Sequence, residues 1–360
     1  MTEMRAAKNI AEEATKLKDK FVSLVAHDLK SPFSSILGFL TLIQNDKKNL
    51  LHPDHRKMIT RAHEAGNRLL RMIERLLNIS RLQTGQLVPQ KKFFDGRWAA
   101  SSVIESLGQL AREKNIELTN KIPRGTRLYA DIDLFREVLQ NLVSNAIKFC
   151  GKGDIITLYV PHGENTTIAV IDTGVGIIDG MLPDIFRHEE ATSTTGTAGE
   201  RGTGLGLPLS SDIMKAHGGT LSAASIKGEG TVFYAQLPYI IPEILLVDDD
   251  EGIHFLLKEI MRQNGIDIVA VENGEEAIKL LDKQTPHLIL TDLEMPRMNG
   301  FEFLERAREN PKASSIPIIV ITEDSNIETR QKAFQLGAND FVTKPLVLAD
   351  LIPRIRRFVG

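Results

Sequence analysis

The sequence predicts three domains of different fold class. They are a helical hairpin that pairs into a dimeric antiparallel four-helix bundle, an α+β sandwich, and a doubly wound α/β domain on a five-stranded parallel sheet. Three observations carry this. Residues 1–84 are rich in Ala, Glu, Lys, Arg and Leu, with apolar residues at helical spacing. Residues 92–238 mix helices with alternating strands and Gly clusters, and in residues 243–360 apolar strands alternate regularly with helical stretches. A chain of 360 residues, 42% hydrophobic and 25% charged, is long enough for cores of this number.

Composition excludes several classes. A single cysteine, Cys150, rules out an internal disulfide and leaves no CxxC or partner thiol for a metal cluster. A net charge of −3 gives no basic footprint, so nucleic acid is not an expected partner. No run approaches the ~20 apolar residues of a membrane helix. The start MTEMRAAKNI has no apolar centre of a signal peptide, so no membrane segment and a cytoplasmic location are expected.

In the first block, helices are expected near 3–46 and 54–83, separated by QNDKKNLLHPDH. Val22, Val25, Leu29, Ile36, Leu40 and Ile43 form one apolar stripe; Ile59, Ala62, Leu69, Met72, Ile73, Leu76, Leu77 and Ile79 form another. Two helices cannot enclose a core, so a homodimeric bundle is expected, extended by a coiled coil over Ala7–Phe21. In the second block, DIITLYV and TTIAVID read as strands and DLFREVLQNLVSNAIKFC as a helix. In the third, ILLV, IDIVAV, HLILT, IPIIVIT and DFVT read as the parallel strands. The joint between the second and third blocks, YIIPE, is brief. About four residues reach at most ~14 Å, so the last domain stays near the second.

Within the first helix, SLVAHDLKSP (23–32) holds a proline and three ionisable side chains. His27 lies about 200° from Val25 and Leu29 and therefore faces away from the buried stripe. Asp28 adjoins it and Ser31 follows one turn on, while Pro32 is expected to kink the helix. The phrase resembles the histidine box of sensor histidine kinases, H-[DE]-L-[KR]-x-P on a dimerising bundle. That resemblance implies that His27 is the phosphoacceptor, that Asp28 assists as hydrogen-bond acceptor or general base, and that Ser31 occupies a position able to place a water for dephosphorylation.

In the second block, Glu137, Asn141, Asn145 and Lys148 share one helix face, opposite Leu139, Val143 and Ile147. Amides and a carboxylate suit Mg²⁺ and a lysine suits phosphate oxygens. IAVIDTGVGI (168–177) runs a strand into Asp172, Gly174 and Gly176, and RGTGLGL (201–207) opens a helix with Gly202, Gly204 and Gly206. Phe186 and the polar stretch ATSTTGTAGE lie between these runs. The ordered set resembles the ATP-binding domain shared by histidine kinases and the gyrase, chaperone and mismatch-repair ATPases.

The resemblance makes Asn141 and Asn145 Mg-phosphate residues, Lys148 a phosphate contact and Asp172 the acceptor for the adenine amino group. The glycines would shape the nucleotide site, Phe186 would pack beneath a lid, and residues 187–203 would form that lid. ATP and Mg²⁺ are thus the expected cofactors. His188, Glu189 and Glu190 have no converging partner cluster that would support a separate metal site.

The third block brings Asp248, Asp249, Asp292, Thr322 and Lys344 to the carboxyl ends of its strands, where open parallel sheets place their sites. Clustered carboxylates repel unless a divalent cation joins them. The block resembles the receiver domain of bacterial response regulators. By that resemblance Asp292 is the phosphoacceptor, Asp248 and Asp249 bind Mg²⁺ with it, and the Glu294 carbonyl is a further ligand. Thr322 and Lys344 would bind phosphoryl oxygens, and the switch aromatic is Phe341, which lacks a hydroxyl.

Taken together, the three resemblances imply a hybrid sensor histidine kinase core. It would autophosphorylate His27 from ATP and pass the group to Asp292, for onward relay to a histidine phosphotransfer protein or a separate response regulator, under an upstream sensor of unknown kind. Two alternatives stay open. The tethered receiver chiefly regulates autokinase activity, or the chain is a non-catalytic ATP-binding scaffold.

Overall fold

The computed structural model describes residues 33, 36–41, 43, 52, 54–63, 65, 66, 88–178, 180–187, 194–200 and 204–360. His27, Asp28, Ser31, Gly202, the 188–190 cluster and the expected coiled coil over residues 7–21 lie outside the described residues.

The N-terminal block contributes helical residues 36–41 (α1) and 54–63 (α2). A Cβ on Gly66 would lie 2.7 Å from Leu37 Cδ2, and Thr41 Oγ1 is 3.2 Å from His63 Nε2. Ascending positions on one helix thus meet descending positions on the other, which makes the pair antiparallel. Leu37 is buried between them, whereas Ile36, Phe39, Ile43 and Met58 remain exposed.

The second domain begins with an antiparallel ribbon, β1 (Lys92–Asp95) with β3 (Arg127–Ala130). Its main sheet joins β2 (Glu117–Asn120), β4 (Ile155–Tyr159), β5 (Thr167–Asp172), β6 (Thr220–Ile226) and β7 (Gly230–Gln236). Their order is β2-β4-β5-β7-β6, antiparallel except for the β2–β4 pair. Helices α3 (Gly96–Glu113), α4 (Ile132–Phe149) and α5 (Gly206–Ala216) supply the other layer. The core between the layers includes Phe135, Leu139, Leu142 and Ile147 from α4, facing Ile156, Leu158 and Ile168 from the sheet.

Local chemistry sets the helix positions. Asp131 caps α4 by accepting from the amides of Asp133 and Leu134. The buried ring of His217 ties the two site-bearing helices together. Its Nε2 accepts from the Asp131 amide at 3.0 Å, and its Nδ1 sits 2.7 Å from the Ile213 carbonyl. Burial pushes the His217 pKa down, which keeps the ring in the neutral form these two bonds require.

The third domain is an all-parallel sheet in the order β12-β11-β10-β8-β9. Its strands are β8 (Glu243–Val247), β9 (Asp267–Val271), β10 (Leu288–Asp292), β11 (Ile318–Thr322) and β12 (Asp340–Thr343). Alternate residues feed two cores. Leu245, Val247, Ile289 and Val320 pack on α7 (Gly274–Leu281), α8 (Gly300–Glu309) and α9 (Ile327–Gln335). Ile244, Leu246, Leu290 and Ile319 pack on α6 (Glu251–Gln263) and α10 (Leu348–Val359). Burial on both faces explains why these strands read as unbroken apolar runs.

The second and third domains touch. Phe93, Tyr129 and His287 form a three-ring cluster with centroids 4.6–5.1 Å apart. Arg127 Nε donates to the main-chain oxygen of Gly360 at 2.9 Å, and its Nη1 to the Gly265 carbonyl at 3.3 Å. The Glu243 amide donates to His287 Nδ1, fixing that ring as an acceptor. Among the described residues, no helix is long and apolar enough to cross a membrane.

Candidate functional site

Two sites emerge, one in each α/β-containing domain. In the third domain the strand order reverses between β8 and β10, and the acidic cluster sits at that switch point. The three aspartates of VDDDE have separate tasks. Asp248 is fully buried and Asp249 exposed, and a carboxylate oxygen from each lies within 4.8 Å of one from Asp292. Asp250 instead caps α6, accepting from the amides of Gly252 and Ile253.

Asp292, 5% exposed, ends β10. Its Oδ1 accepts from the Leu293 amide at 2.6 Å and the Glu294 amide at 3.2 Å. Its Oδ2 takes the Lys344 ammonium at 2.5 Å, and the same ammonium stands 3.0 Å from Asp248 Oδ2. Burial pushes the Asp248 carboxyl up, partly offset by the Asp250 amide and Lys344. Burial alone would lower the Lys344 pKa, but the adjacent Asp292 and Asp248 carboxylates raise it.

Asp248 Oδ2 is buried and, despite the nearby ammonium, has no aligned hydrogen bond. A buried carboxylate oxygen in that state, beside two further carboxylates, fits a hard divalent cation such as Mg²⁺. Thr322 ends β11, fully buried, and its hydroxyl accepts from the Asp324 amide at 3.3 Å. Lys344 follows the last residue of β12. A cleft of about 490 Å³ opens beside the cluster, lined by Asp249, Glu294, Met295, Pro296, Thr322 and Asp324. Glu294 is exposed on its rim, and Phe341 is buried with the Arg330 guanidinium 5.9 Å from its ring centre.

The second site lies where α4, α5 and the end of β5 meet. Asp172 is the last residue of β5 and is buried, and its Oδ1 accepts from the Gly174 amide at 2.9 Å. Burial raises its pKa to about 6, against the lowering effect of the Gly174 and Thr231 amides. Gly176 has φ +67° and approaches so closely that a Cβ would lie 2.2 Å from the Ile226 carbonyl. No other residue type fits there without moving the β6–β7 turn.

The polar face of α4, expected to serve Mg-phosphate, is partly covered by α5. Asn141, 9% exposed, donates from Nδ2 to Ser210 Oγ at 2.8 Å. A Cβ on Gly206 would lie 2.3 Å from Asn141 Oδ1. Glu137 and Asn145 are half-buried one turn to either side. Lys148 donates to the Thr194 carbonyl at 2.5 Å and lies 4.6 Å from the Phe149 ring centre. Gly204 has φ +75° just ahead of α5. Phe186 packs edge-on to Phe233, with centroids 6.4 Å apart. The structure thus gathers Asn141, Gly206 and Ser210 at one point and Lys148 with residues 194–200 at another.

One polar residue at this site was missed in the sequence. Lys114, at the end of α3, donates to the Ile147 carbonyl, Thr197 Oγ1 and Glu200 Oε1 at 2.8–2.9 Å. It belongs to no motif, and its partners lie 33 to 86 residues away in the chain. No local signal could have revealed it.

Three family models match the chain in order. They are the His Kinase A (phospho-acceptor) domain over 17–85, the histidine kinase-, DNA gyrase B- and HSP90-like ATPase over 130–241, and the response regulator receiver domain over 244–356. The chain belongs to the hybrid sensor histidine kinases. It is 30% identical over 374 residues to the sensor protein EvgS of Escherichia coli (strain K12), a match that spans 96% of this chain and 31% of EvgS. It is 27% identical over 384 residues to the autoinducer 2 sensor kinase/phosphatase LuxQ of Vibrio vulnificus (strain YJ016), spanning 98% of this chain and 44% of LuxQ. The chain therefore spans less than half the length of either relative. The crystal structure of full-length ShkA in complex with AMPPNP aligns over 95% of this chain and 99% of its own, at 19% identity and a TM-score of 0.49.

Proposed function

We propose that the chain is an ATP-dependent protein-histidine kinase that phosphorylates His27 and passes the phosphoryl group to Asp292 for onward relay. The observation that carries this reading is the Asp292 pocket. It combines a buried carboxylate on a strand end, a lysine on one of its oxygens, and a neighbouring carboxylate oxygen without a hydrogen bond. A structural ion pair does not require the third feature.

In the first step the neutral His27 imidazole attacks the γ-phosphorus. A nitrogen–phosphorus bond forms, the bond to the bridging oxygen breaks, ADP leaves and the imidazole proton passes to Asp28. In the second, an Asp292 oxygen attacks the same phosphorus, the phosphorus–nitrogen bond breaks, and the imidazole recovers a proton. Lys344, already paired with Asp292, and Thr322 would pair with phosphoryl oxygens on Asp292. Asp248, Asp249 and Asp292, with the Glu294 carbonyl, would hold Mg²⁺. Bound there, the ion neutralises the charge that builds up on the phosphoryl oxygens.

At the nucleotide site, Asp172 would accept from the adenine amino group, Asn141 and Asn145 would serve Mg-phosphate, and Lys148 would contact phosphate. Glu137, Gly174, Gly176, Phe186, Gly202, Gly204 and Gly206 would complete the pocket. Exposed Ile36, Phe39, Ile43 and Met58 on the hairpin favour a homodimer that covers them. Exposed Phe255 and Leu256 on α6, beside the acidic cluster, favour a helical downstream partner such as a histidine phosphotransfer protein. A need for ATP would favour a cytoplasmic location for the chain.

The contact of Arg127 and Phe93 with the receiver supports a second reading, in which the receiver also regulates autokinase activity. Phosphoryl transfer from γ-labelled ATP in the parent, His27→Ala and Asp292→Asn proteins tests the first reading. Acid-labile, base-stable label should accumulate in Asp292→Asn, be absent from His27→Ala, and become base-labile or disappear in the parent. Stable phosphohistidine in the parent would rule out transfer to Asp292. Deleting 243–360 and finding autophosphorylation strongly changed would favour the regulatory reading.

A further inference from the structure

We infer that Lys114 is a positioning residue of the nucleotide site. Through its ammonium, the turn that leads into the Gly-rich run is clamped to the carboxyl end of α4. The inference rests on the reading that Asn141, Asn145, Lys148 and the run ending at Gly206 hold ATP.

The last four carbonyls of a helix have no partner within it and carry the negative end of its dipole. In α4 those groups are satisfied from outside. Ile147 O accepts from Lys114 Nζ at 2.8 Å, Lys148 O from the Thr197 amide at 3.0 Å, and Phe149 O from the Val175 amide at 3.2 Å. The carbonyl of Cys150, the C-cap residue, accepts from Thr197 Oγ1 at 2.6 Å. Residues 194–200 are thus a capping turn for the helix that carries the proposed phosphate-binding side chains.

Lys114 binds both sides of this joint. An ammonium has three N–H donors. Here three short acceptors are available, Ile147 O on the helix and Thr197 Oγ1 and Glu200 Oε1 on the turn. The Lys114 side chain is only 14% exposed, while its partner Glu200 keeps 37% of its side chain in solvent, so the pair is screened from one side only. The turn is closed on itself as well. Glu200 Oε2 accepts from the Ala198 amide at 2.9 Å, and Glu200 O from the Gly196 amide at 2.8 Å. Partial burial pushes the Glu200 carboxyl up, but hydrogen bonds from Lys114 and from the Glu200 and Ala198 amides outweigh this and hold it below its ordinary value. A Cβ on Gly196 would lie 2.6 Å from Lys148 Cγ and 2.8 Å from Lys148 O, so the turn is seated against the residue it helps to aim.

Glu200 stands four residues before Gly204 and six before Gly206, which rests on Asn141. Fixing Glu200 therefore tethers the chain four residues ahead of Gly204 and six ahead of the Gly206–Asn141 contact. Of the proposed nucleotide-pocket residues, Lys114 reaches only the main-chain carbonyl of Lys148, at 3.4 Å, and it acts through Glu200, Thr197 and the end of α4.

The test is a double-mutant cycle on ATP affinity in the full chain, using Lys114→Met, Glu200→Gln and the double variant. Each is measured at a temperature where its melting curve shows it folded. Lys114→Met should raise Kd for ATP about tenfold, and the double variant should be no weaker than Lys114→Met alone. Hydrogen exchange at residues 194–200 should speed up in both single variants, with the core of β5 unchanged. Should Lys114→Met fail to fold, Thr197→Val removes the hydroxyl that bridges Lys114 and Cys150 and should raise Kd in the same direction. Unchanged Kd in the folded variants, or effects that simply multiply, overturns the positioning role while leaving the ATP reading intact. Absence of ATP binding by the parent overturns both.

Discussion

On the proposed reading the receiver pocket and the nucleotide site would solve the same problem, holding a multiply charged phosphoryl group, with opposite materials. The receiver pocket is made of side-chain charge. Asp248 and Asp292 are buried and share a single ammonium, Lys344. The nucleotide site is made of backbone and close approach. Among the described residues it has one buried carboxylate, Asp172, and glycines whose missing side chains leave room at Ile226 and Asn141. A charge-built site is sensitive to loss of one counter-charge, whereas a backbone-built site is sensitive to added volume and to the set of its loops.

The largest effect should follow from Asp292→Asn, which removes the proposed acceptor oxygen while keeping the amide bonds to Leu293 and Glu294 nearly isosteric. Base-labile phosphate should be lost by more than about 10²-fold, as expected for loss of the reacting group itself. Folding should be retained. If base-labile phosphate persisted, the acceptor would be another residue, and the contrast between the two sites would lose its chemical basis.

Removing the counter-charge comes next. Lys344→Met leaves two buried carboxylates facing each other, with a cost of about 3–5 kcal/mol in unfolding of the third domain. Because protonation relieves that repulsion, the loss should be large at pH 8 and shrink as pH falls toward 5. Millimolar Mg²⁺ should restore part of it. Denaturant melts across pH, with and without Mg²⁺, measure both. A loss independent of pH and of the ion would mean that Lys344 contributes packing alone.

Asp172→Asn probes the other site and should separate function from stability. Burial raises the carboxyl to about 6, above its unfolded value. The folded state therefore holds its proton to higher pH than the unfolded chain. Stability from this group is fully present below about pH 4, falls as pH rises through 6, and stays lower above that. The amide replacement should accordingly stabilise the domain by about 1–3 kcal/mol at pH 8 and by almost nothing at pH 4. ATP affinity should fall about tenfold or more, and in the parent it should weaken as pH drops below 6. Calorimetric melts beside nucleotide titrations separate the two effects. A variant that loses stability at pH 8 would sink the desolvation account.

How much of this was legible follows from the same contrast. The parallel sheet of the third domain declares itself because strands buried on both faces are apolar throughout, as in IIVIT of β11. Asp292, Thr322 and Lys344 sit at or just past strand ends, so strand prediction also located them. The β1–β3 ribbon was not legible. Its strands have four residues each and lack a fully buried run, and their partners are a ring on another domain and each other. Asn141 was picked out by its place on the polar face of α4. That α5 covers that face through Ser210 depends on tertiary packing that helical periodicity does not encode. The contrast is sharpest between two lysines. Lys344 stands in a strand-end motif, whereas Lys114 finds main-chain carbonyls and distant side chains, which have no sequence signature.

The smallest effect concerns the joint between the two domains. Arg127 spans it through two carbonyls, and it is partly desolvated there, which together with the nearby Arg356 lowers its pKa. Both contact points, and His287 with them, lie at the amino ends of the receiver strands. The acidic pocket lies at their carboxyl ends, about 15 Å away across five residues of strand. Arg127→Ala should therefore leave the Mg²⁺ dependence of receiver stability unchanged while weakening the docking by about 1 kcal/mol, the usual worth of such bonds once water competes. Hydrogen exchange at β1, β3 and the Gly265 turn should rise, and the two domains should melt further apart in temperature. If autophosphorylation also changed in this variant, with the acceptor pocket untouched, the regulatory reading would gain its most direct support. The receiver would then act on the kinase through the end of its sheet that carries no phosphate.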